Sequence, residues 1–415
     1  MFILSLLYAF FLLFSLGASC PFHEGVNMAA DFTFVATENN NFRSMPRDAP
    51  PTDDEIAINN VRVFDGDKLL PATTVVIRGN TIISIGHSSK TGKQVEGNGG
   101  VLLPGLIDAH AHPSNITDLQ NLSCYGVTTT MLMACFQPQL CQSLKNHTGL
   151  VDIVAGSLPA AGPGSVHGSI IVAVDGNGDR LVSNVSTAAQ WVDEAVAWGP
   201  DFIKLIAESP GLDQKTLDVL TEQSHQHGKQ VACHASALDA YNQAATARVD
   251  HIQHAPLDQP ISTELAGYMR SRGQVATPTL AILRAISDAS PTTRNYTAAE
   301  ETVRRLKAAG VPIVAGTDAN LIGGGFVPTV AFGVSLHDEL RLLVNAGLSP
   351  VEALRAATSV AAKQWGLDDR GVIAPGKRAD LVLLSENPLE DIHATTTIQK
   401  VWLAGVEFSG AIGSF

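Results

Sequence analysis

Two histidines separated by a single residue, His110 and His112, follow the apolar stretch 101–109 and stand directly before Pro113. In an extended strand, side chains two residues apart lie on the same side, so both imidazoles can converge on one point. Convergent imidazoles are ligands that zinc and related divalent metals bind. The spacing therefore predicts a metal site at the end of this stretch. The alternative is a pair of solvated surface histidines.

Further potential ligands stand within or directly after later apolar segments. Lys204 interrupts the segment 202–207, where a buried ammonium is costly unless its charge is compensated or removed. The alternative for this residue is a lysine that points outwards between helices. His234, His254 and Asp318 end three more such segments. Because a possible ligand at each of four further segments is hard to obtain by chance, the set predicts one composite metal site.

Other histidines compete for the same role. His251 precedes His254 by three residues, and on a strand this odd offset sends the two side chains to opposite sides, so only one can face the site. His225 and His227 lie at the predicted end of a helix before Gly228, where residues two apart diverge. We therefore interpret this second His-X-His as solvated surface.

The middle of the chain alternates short apolar segments with helical patterns. Such alternation predicts an α/β fold, a (β/α)8 TIM barrel, whose active site lies at the carboxyl ends of the strands. The predicted strands are 101–109, 128–133, 152–156, 202–207, 230–233, 250–253, 274–277 and 312–316. The clearest predicted helices are 187–198 with Ser186 as N-cap, 213–227 and 298–309.

Short β-branched segments separated by turn residues stand at both ends of this middle region. They predict a small β-sandwich domain formed from N- and C-terminal segments. The segments are 57–64, 73–78, 81–85, 380–384 and 400–404. The predicted organisation is a signal peptide (1–20), an N-terminal extension (21–54), the amino-terminal portion of the β-sandwich (55–100), the barrel (101–368) and the carboxyl-terminal portion of the β-sandwich (369–415).

The amino-terminal residues 2–18 form an almost unbroken apolar run, which predicts a secretory signal peptide and a secreted glycoprotein. No Lys or Arg precedes the run, and an uncleaved signal that anchors the protein to a membrane is the alternative. Secretion also agrees with five Asn-X-Ser/Thr sequons. These are Asn115, Asn121, Asn146, Asn184 and Asn295.

The composition and the net charge indicate which classes of binding partner are unsuitable. The chain has 415 residues, of which 45% are hydrophobic, and a net charge of −13 argues against nucleic acid or an anionic membrane surface as the main partner. Among the five cysteines, Cys124, Cys135 and Cys141 lie close together, so one disulfide among them is expected in an oxidising compartment. Cys233 beside His234 is expected to be a small buried residue.

Three sequence motifs carry a resemblance to a known family. They are GLIDAHAHP at 105–113, AGTDAN at 315–320 and GVIAPGKRADLVLLSENPLEDI at 371–392. Together with the order His, His, Lys, His, His, Asp, they resemble the amidohydrolase superfamily of metal-dependent hydrolases. The most similar branch contains imidazolonepropionase-like enzymes, Xaa-Pro dipeptidases and ochratoxinase. The resemblance covers about residues 56–408.

The resemblance implies two zinc ions per subunit, which suit imidazole and carboxylate ligands. The implied ligands are His110 and His112 for the more buried ion, His234 and His254 for the other, and a carboxylated Lys204 that bridges both. Asp318 would bind the first ion and accept a proton from the attacking water. One departure is Gln253, because that branch often has Glu before the ligand of the sixth strand.

His167 lies in a glycine-rich stretch between Gly164 and Gly168, after the third predicted strand. Related enzymes often have a histidine in such a loop, and the resemblance implies that His167 contacts the substrate or the transition state. The alternative is a loop histidine without a role in the reaction.

The function that these observations predict is hydrolysis of an amide or peptide C–N bond in a small substrate by metal-activated water. A dipeptide, an N-acyl amino acid or a cyclic amide would be suitable. One alternative is a lactone or ester hydrolase with the same site, and another is a secreted metal-binding protein without catalysis. The expected partner is a small molecule or a second copy of the chain in a homo-oligomer.

Overall fold

The computed structural model describes residues 55–87, 92–175, 178–321 and 328–413. The predicted signal peptide and N-terminal extension lie outside the described residues. The strands are β1 (Glu55–Val63), β2 (Thr73–Arg78), β3 (Thr81–Ile85), β4 (Lys93–Glu96), β5 (Val101–Pro104), β6 (Leu106–Ala111), β7 (Val127–Leu132), β8 (Asp152–Ala155), β9 (Ile203–Ile206), β10 (Val231–His234), β11 (His251–Gln253), β12 (Val275–Thr277), β13 (Leu381–Leu384), β14 (Ile398–Leu403) and β15 (Val406–Glu407).

The helices lie mostly between the strands of the middle region. They are α1 (Ile116–Cys124), α2 (Pro138–Ser143), α3 (Val166–Asp175), α4 (Val185–Ala197), α5 (Gln214–Gln226), α6 (Leu238–Thr246), α7 (Thr263–Arg272), α8 (Leu280–Ala289), α9 (Tyr296–Ala309), α10 (Val334–Asn345), α11 (Pro350–Ala356) and α12 (Ser359–Gln364), followed by a 3-10 helix (Ile392–Thr396). None of the helices in the described ranges combines the length and the apolar character needed to cross a membrane.

Both ends of the described chain contribute strands to one sheet. Its order is β15-β14-β13-β5-β1-β2-β3, and β4 pairs with β1. The antiparallel pair of β5 and β13 joins the two ends, with Leu102 opposite Leu383. Ile58, Leu381 and Trp402 are fully buried in the core of this sheet. Its apolar residues therefore hold the carboxyl-terminal tail against the amino-terminal strands.

The middle region forms two parallel sheets, β6-β7-β8 and β9-β10-β11-β12. Strands β6, β7, β9, β11 and β12 are buried at every residue, as strands covered by helices must be. Since the strands are parallel, the carboxyl ends within each sheet lie at one edge. Isolated parallel bridges extend the pairing at Gly156 with Phe202, Ala276 with Ile313, and Ala111 with Ala319.

Besides shifts of one or two residues at the ends of several elements, three differences from the predicted elements have a clear cause or consequence. The predicted strand 101–109 is broken at Gly105, because β5 pairs with β13 whereas β6 pairs with β7. A Cβ at Gly105 would lie 2.1 Å from the Thr128 hydroxyl, so only glycine fits between β5 and β6. The predicted strand 312–316 forms only the bridge at Ile313. Helix α4 begins after the N-cap Asn184 rather than Ser186, since the Asn184 side chain accepts from the Ser186 N–H.

The start of β8 is tied to the carboxyl-terminal tail by a part-buried ionic group. Asp152 Oδ2 accepts from Arg370 Nη1 at 2.8 Å and from Arg378 Nη1 at 2.7 Å. Burial by itself raises the pKa of Asp152, but the two arginines outweigh it and the pKa lies below its ordinary value. The group therefore links the parallel strands to the segment that carries β13.

We expect Asp152→Ala to lower the free energy of unfolding at pH 7 by about 2 kcal/mol, because two part-buried guanidinium groups lose their shared carboxylate. Arg370 keeps its pair with Asp369, and Arg378 keeps its pair with Asp380. Since the folded-state pKa is below the ordinary value of 3.8, the contribution is present above that pH and is lost as the pH falls through the folded-state pKa. Urea unfolding at pH 7 and at pH 3 measures both effects. The exposed pair of Asp338 and Arg341 is the control, and Asp338→Ala should change stability little. Equal losses in both variants would contradict the stabilising role of the part-buried group.

Candidate metal centre

Three side chains from the two ends of the parallel region converge at the predicted metal site. His110 is in β6, His112 follows it directly, and Asp318 comes from the segment that bridges to β6 at Ala319. Asp318 Oδ1 lies 2.9 Å from His112 Nε2 and 3.3 Å from His110 Nε2. Their potential ligand atoms all lie within 4.8 Å of one another. This geometry can hold a divalent metal ion.

The other predicted histidines extend this group into a continuous row of imidazoles. The ring centroid of His254 lies 4.8 Å from that of His110, and His234 follows at 4.3 Å from His254. His167 comes next, at 4.3 Å from His234. The structure thus brings residues from five separate segments of the chain to one place. His167 has a half-buried side chain and lies at the end of the row.

Lys204 of β9 belongs to the same group of residues. It is only 3% exposed, and burial lowers the pKa of its ammonium to about 8. Among the described residues, no carboxylate lies within ion-pair distance of its amine. The neighbouring Cys233 and Asp318 raise the pKa of the ammonium, but burial outweighs them. A buried amine with a lowered pKa is more easily deprotonated, and a deprotonated amine is a nucleophile. Because its side chain is buried and its amine interacts with the charge of Asp318, Lys204 does not point outwards between helices.

The protonation states suit a metal ligand set. Burial lowers the pKa of His110 to about 4, and it holds the pKa values of His234 and His254 well below the ordinary value. These imidazoles are therefore neutral at pH 7, which is the form that binds metals. Burial by itself raises the pKa of Asp318, but His110 and its neighbour His112 hold that pKa well below its ordinary range. The centre thus offers neutral imidazoles and an ionised carboxylate.

The two hydrogen-bonding neighbours of the His110 ring show whether a cation fits beside it. Its Nδ1 lies 2.8 Å from Gln253 Oε1, and its Nε2 lies 3.3 Å from Asp318 Oδ1. Both neighbours are acceptors, but a neutral imidazole has only one N–H to donate. A proton on Nδ1 leaves the Nε2 lone pair facing a carboxylate oxygen, and a cation between them resolves this conflict. The residues present therefore fit a metal ion.

The backbone at this edge is held in unusual conformations. His254, Thr279 and Asp318 have φ angles of 72°, 51° and 57°, in the left-handed region that is uncommon outside glycine and least favourable for a β-branched residue such as Thr279. Such strain costs free energy and is often found at functional sites. Asp108 stabilises the turn before Asp318, because its carboxylate accepts from the His110 N–H and from the N–H and hydroxyl of Thr317.

A further set of polar contacts surrounds the histidines, and none of them was predicted from the sequence. His254 Nδ1 contacts the Thr279 hydroxyl at 2.8 Å, and His234 Nε2 contacts the Ser236 hydroxyl at 3.2 Å. Glu208 accepts from the His167 backbone N–H at 2.9 Å and lies 3.1 Å from its Nδ1. The position of Glu208 four residues after Lys204, beyond the end of a buried strand, was the one signal available.

The rival histidines lie elsewhere. His251 at the start of β11 stacks on Trp365, with ring centroids 3.9 Å apart and an interplanar angle of 11°. His225 pairs with Asp250 and His227 pairs with Asp193, and both histidines are at least one third exposed. None of the three joins the row of imidazoles, so His254 is the histidine of this segment that faces the centre.

A parallel α/β fold that gathers histidines, a carboxylate and a buried lysine at its strand ends is typical of metal-dependent hydrolases. The chain belongs to the amidohydrolase family, whose sequence pattern it matches over residues 101–407. An imidazolonepropionase of Deinococcus deserti is 32% identical over 192 residues, which cover 44% of this chain and 42% of that protein. The chain thus spans less than half the length of that relative.

Solved structures agree with this assignment. The putative prolidase from Bifidobacterium longum has a TM-score of 0.75 and 25% identity, and the match covers 88% of this chain and 97% of that one. The A. niger ochratoxinase has a TM-score of 0.70 and 18% identity, and the match covers 86% and 96%. The predicted family and branch are therefore confirmed, and the fold is the TIM-barrel-like α/β fold of the amidohydrolases.

Proposed function

We propose that this protein is a metal-dependent amidohydrolase that cleaves an amide or peptide C–N bond of a small substrate. A dipeptide, an N-acyl amino acid or a cyclic amide would be suitable. The observation that carries the proposal is the convergence of His110, His112 and Asp318 within 4.8 Å, beside the buried amine of Lys204. The proposal includes a closed (β/α)8 barrel and a β-sandwich made from both ends of the chain.

Six residues would hold two zinc ions in this proposal. They are His110, His112 and Asp318 for one ion, His234 and His254 for the other, and a carboxylated Lys204 for both. The neutral amine of Lys204 would add to carbon dioxide, forming an N–C bond and releasing one proton, and the resulting carbamate would offer the metal ions an anionic ligand in place of a buried cation. When bound, the two ions polarise the scissile carbonyl and lower the pKa of the attacking water.

The chain's own residues move the proton and orient the substrate. Asp318 is ionised at neutral pH, so its carboxylate can accept a proton from the attacking water and return it to the departing nitrogen. His167 lies at the end of the imidazole row, where Glu208 holds both its backbone and its ring. With its Nδ1–H donated to Glu208, a neutral His167 offers Nε2 to the substrate as a hydrogen-bond acceptor.

Secretion is included in the same proposal, and the apolar run at 2–18 supports it. Of the five sequons, Asn121 is only 1% exposed, so the folded chain has no room for a glycan there. Asn146, Asn184 and Asn295 are exposed. Asn115 is exposed as well, and its side chain caps α1 by accepting from the Asp118 N–H. Mass spectrometry of protein from a secretory host shows which of these positions carry sugar.

The test of the activity is a panel of Xaa-Pro dipeptides, N-acyl amino acids, cyclic amides and lactones. We expect hydrolysis of at least one amide, its loss after treatment with a chelator, and its return when zinc is added. Hydrolysis that continues in the chelator would contradict the metal dependence. Hydrolysis of lactones alone would contradict the proposed preference for C–N bonds.

A further inference from the structure

Gln253 is a fully buried polar residue that no proposed step of the reaction uses. It is the last residue of β11, between β10 and β12, and it directly precedes His254. Its Oε1 lies 2.8 Å from the Nδ1 of His110, a residue 143 positions earlier in the chain. The side chain therefore reaches from one strand of the metal centre to a ligand on another.

This contact selects one form of the imidazole. An amide oxygen can only accept, so the proton of His110 must be on Nδ1. The lone pair of Nε2 then faces Asp318, whose Oδ1 lies 3.3 Å away. A metal ligand needs this lone pair, and an outer hydrogen bond of this kind fixes both the tautomer and the ring orientation.

The amide nitrogen of Gln253 shows that this residue is not there for its packing alone. Gln253 Nε2 is buried and has no hydrogen-bond partner among the described residues. An unmade hydrogen bond of a buried donor destabilises a fold, and methionine would fill nearly the same space without it. The hydrogen bond to His110 is the contact that distinguishes glutamine from methionine at this position.

We propose that Gln253 is a positioning residue of the metal centre, which holds His110 in its metal-binding tautomer with an uncharged acceptor. This inference rests on the proposed function. An uncharged acceptor orients the ring without adding negative charge beside the cations. A carboxylate at the same place would also orient the ring, but it would raise the basicity of His110 and bind the metal more tightly.

Three variants separate metal retention from folding. Gln253→Met removes the acceptor, and Gln253→Glu keeps an acceptor and adds charge. Gln274→Met is the matched control, because Gln274 is a buried glutamine that donates to the backbone oxygens of Ala245 and Val249 and not to a ligand. Each full-length protein is loaded with zinc and dialysed against graded EDTA. Bound zinc is measured by elemental analysis, and the metal-free proteins are melted.

We expect Gln253→Met to lose zinc at an EDTA concentration about 10- to 100-fold lower than the wild type, while its metal-free form melts at the same temperature. Gln253→Glu should retain zinc at least as well as the wild type. Gln274→Met should show the opposite pattern, with a lower melting temperature and unchanged zinc retention. If Gln253 only packed in the core, Gln253→Met would lower the melting temperature and leave zinc retention unchanged, as expected for Gln274→Met.

Two results would overturn the inference. If the wild type holds zinc and Gln253→Met releases it at the same EDTA concentration, the inference is wrong and the proposed function stands. If the folded wild type binds no zinc, the proposed function fails and the inference fails with it. Should Gln253→Met not fold, Gln253→Glu decides, because weaker zinc retention in that variant would contradict the role of Oε1 as an acceptor.

Discussion

Asp318→Asn is expected to lower kcat/KM for the amide substrate by on the order of 10³-fold. Asparagine keeps the size of the side chain but cannot accept the proton of the attacking water. It also removes the carboxylate that lies 2.9 Å from His112 Nε2 and 3.3 Å from His110 Nε2. Steady-state kinetics with the zinc-loaded variant measure the effect, and elemental analysis separates a proton-transfer defect from a loss of metal.

The control for this substitution is His225→Asn, an exposed histidine that pairs with Asp250 outside the centre. This variant should retain wild-type kinetics and zinc content. Wild-type kinetics in Asp318→Asn would show that another group accepts the proton, and the role proposed for Asp318 would have to be abandoned.

Lys204→Met should have the second largest effect. The substitution replaces a buried amine with an apolar side chain of similar length, and we expect it to lower kcat/KM by at least about 100-fold and to reduce the bound zinc. Since a buried cation without a partner carboxylate is costly, the metal-free variant should unfold no more easily than the wild type. Elemental analysis, kinetics and thermal melts of the metal-free proteins measure these three quantities.

The proposed carbamate on Lys204 predicts that reactivation of the wild type depends on carbon dioxide. Metal-free protein reconstituted with zinc in buffer stripped of carbon dioxide should regain activity more slowly than protein reconstituted with bicarbonate. His225→Asn should show the same dependence as the wild type. Two results would contradict the bridging role of Lys204. One is an equal zinc content in Lys204→Met and wild type, and the other is a reactivation rate that is the same with and without bicarbonate.

The residues that converge at the candidate metal centre could be predicted because few structural roles place such residue types at these positions. Lys204 stands inside an apolar strand, and a buried ammonium there needs a chemical reason. His110 and His112 follow the period of a strand, so their convergence depends only on local geometry. The odd offset between His251 and His254 likewise showed that only one of them could face the centre.

The contacts around the ligands could not be predicted, since they join segments that only the fold brings together. The hydrogen bond between His110 and Gln253 crosses 143 residues, and a single sequence gives no register for such a pair. The left-handed backbone of Thr279, a β-branched residue, contradicts its local preference and is maintained by tertiary contacts. The break at Gly105 also depends on a remote neighbour, because the strand before it pairs with β13.

Elemental analysis of the folded wild-type protein, purified without added metal chelators, tests the proposed metal centre most directly. We expect about two zinc ions per chain, held by the six residues proposed above. These are His110, His112, His234, His254, Asp318 and Lys204. A single ion would contradict the bridge at Lys204. Well-folded protein that binds no metal, even after incubation with zinc, would contradict the assignment as a metal-dependent amidohydrolase.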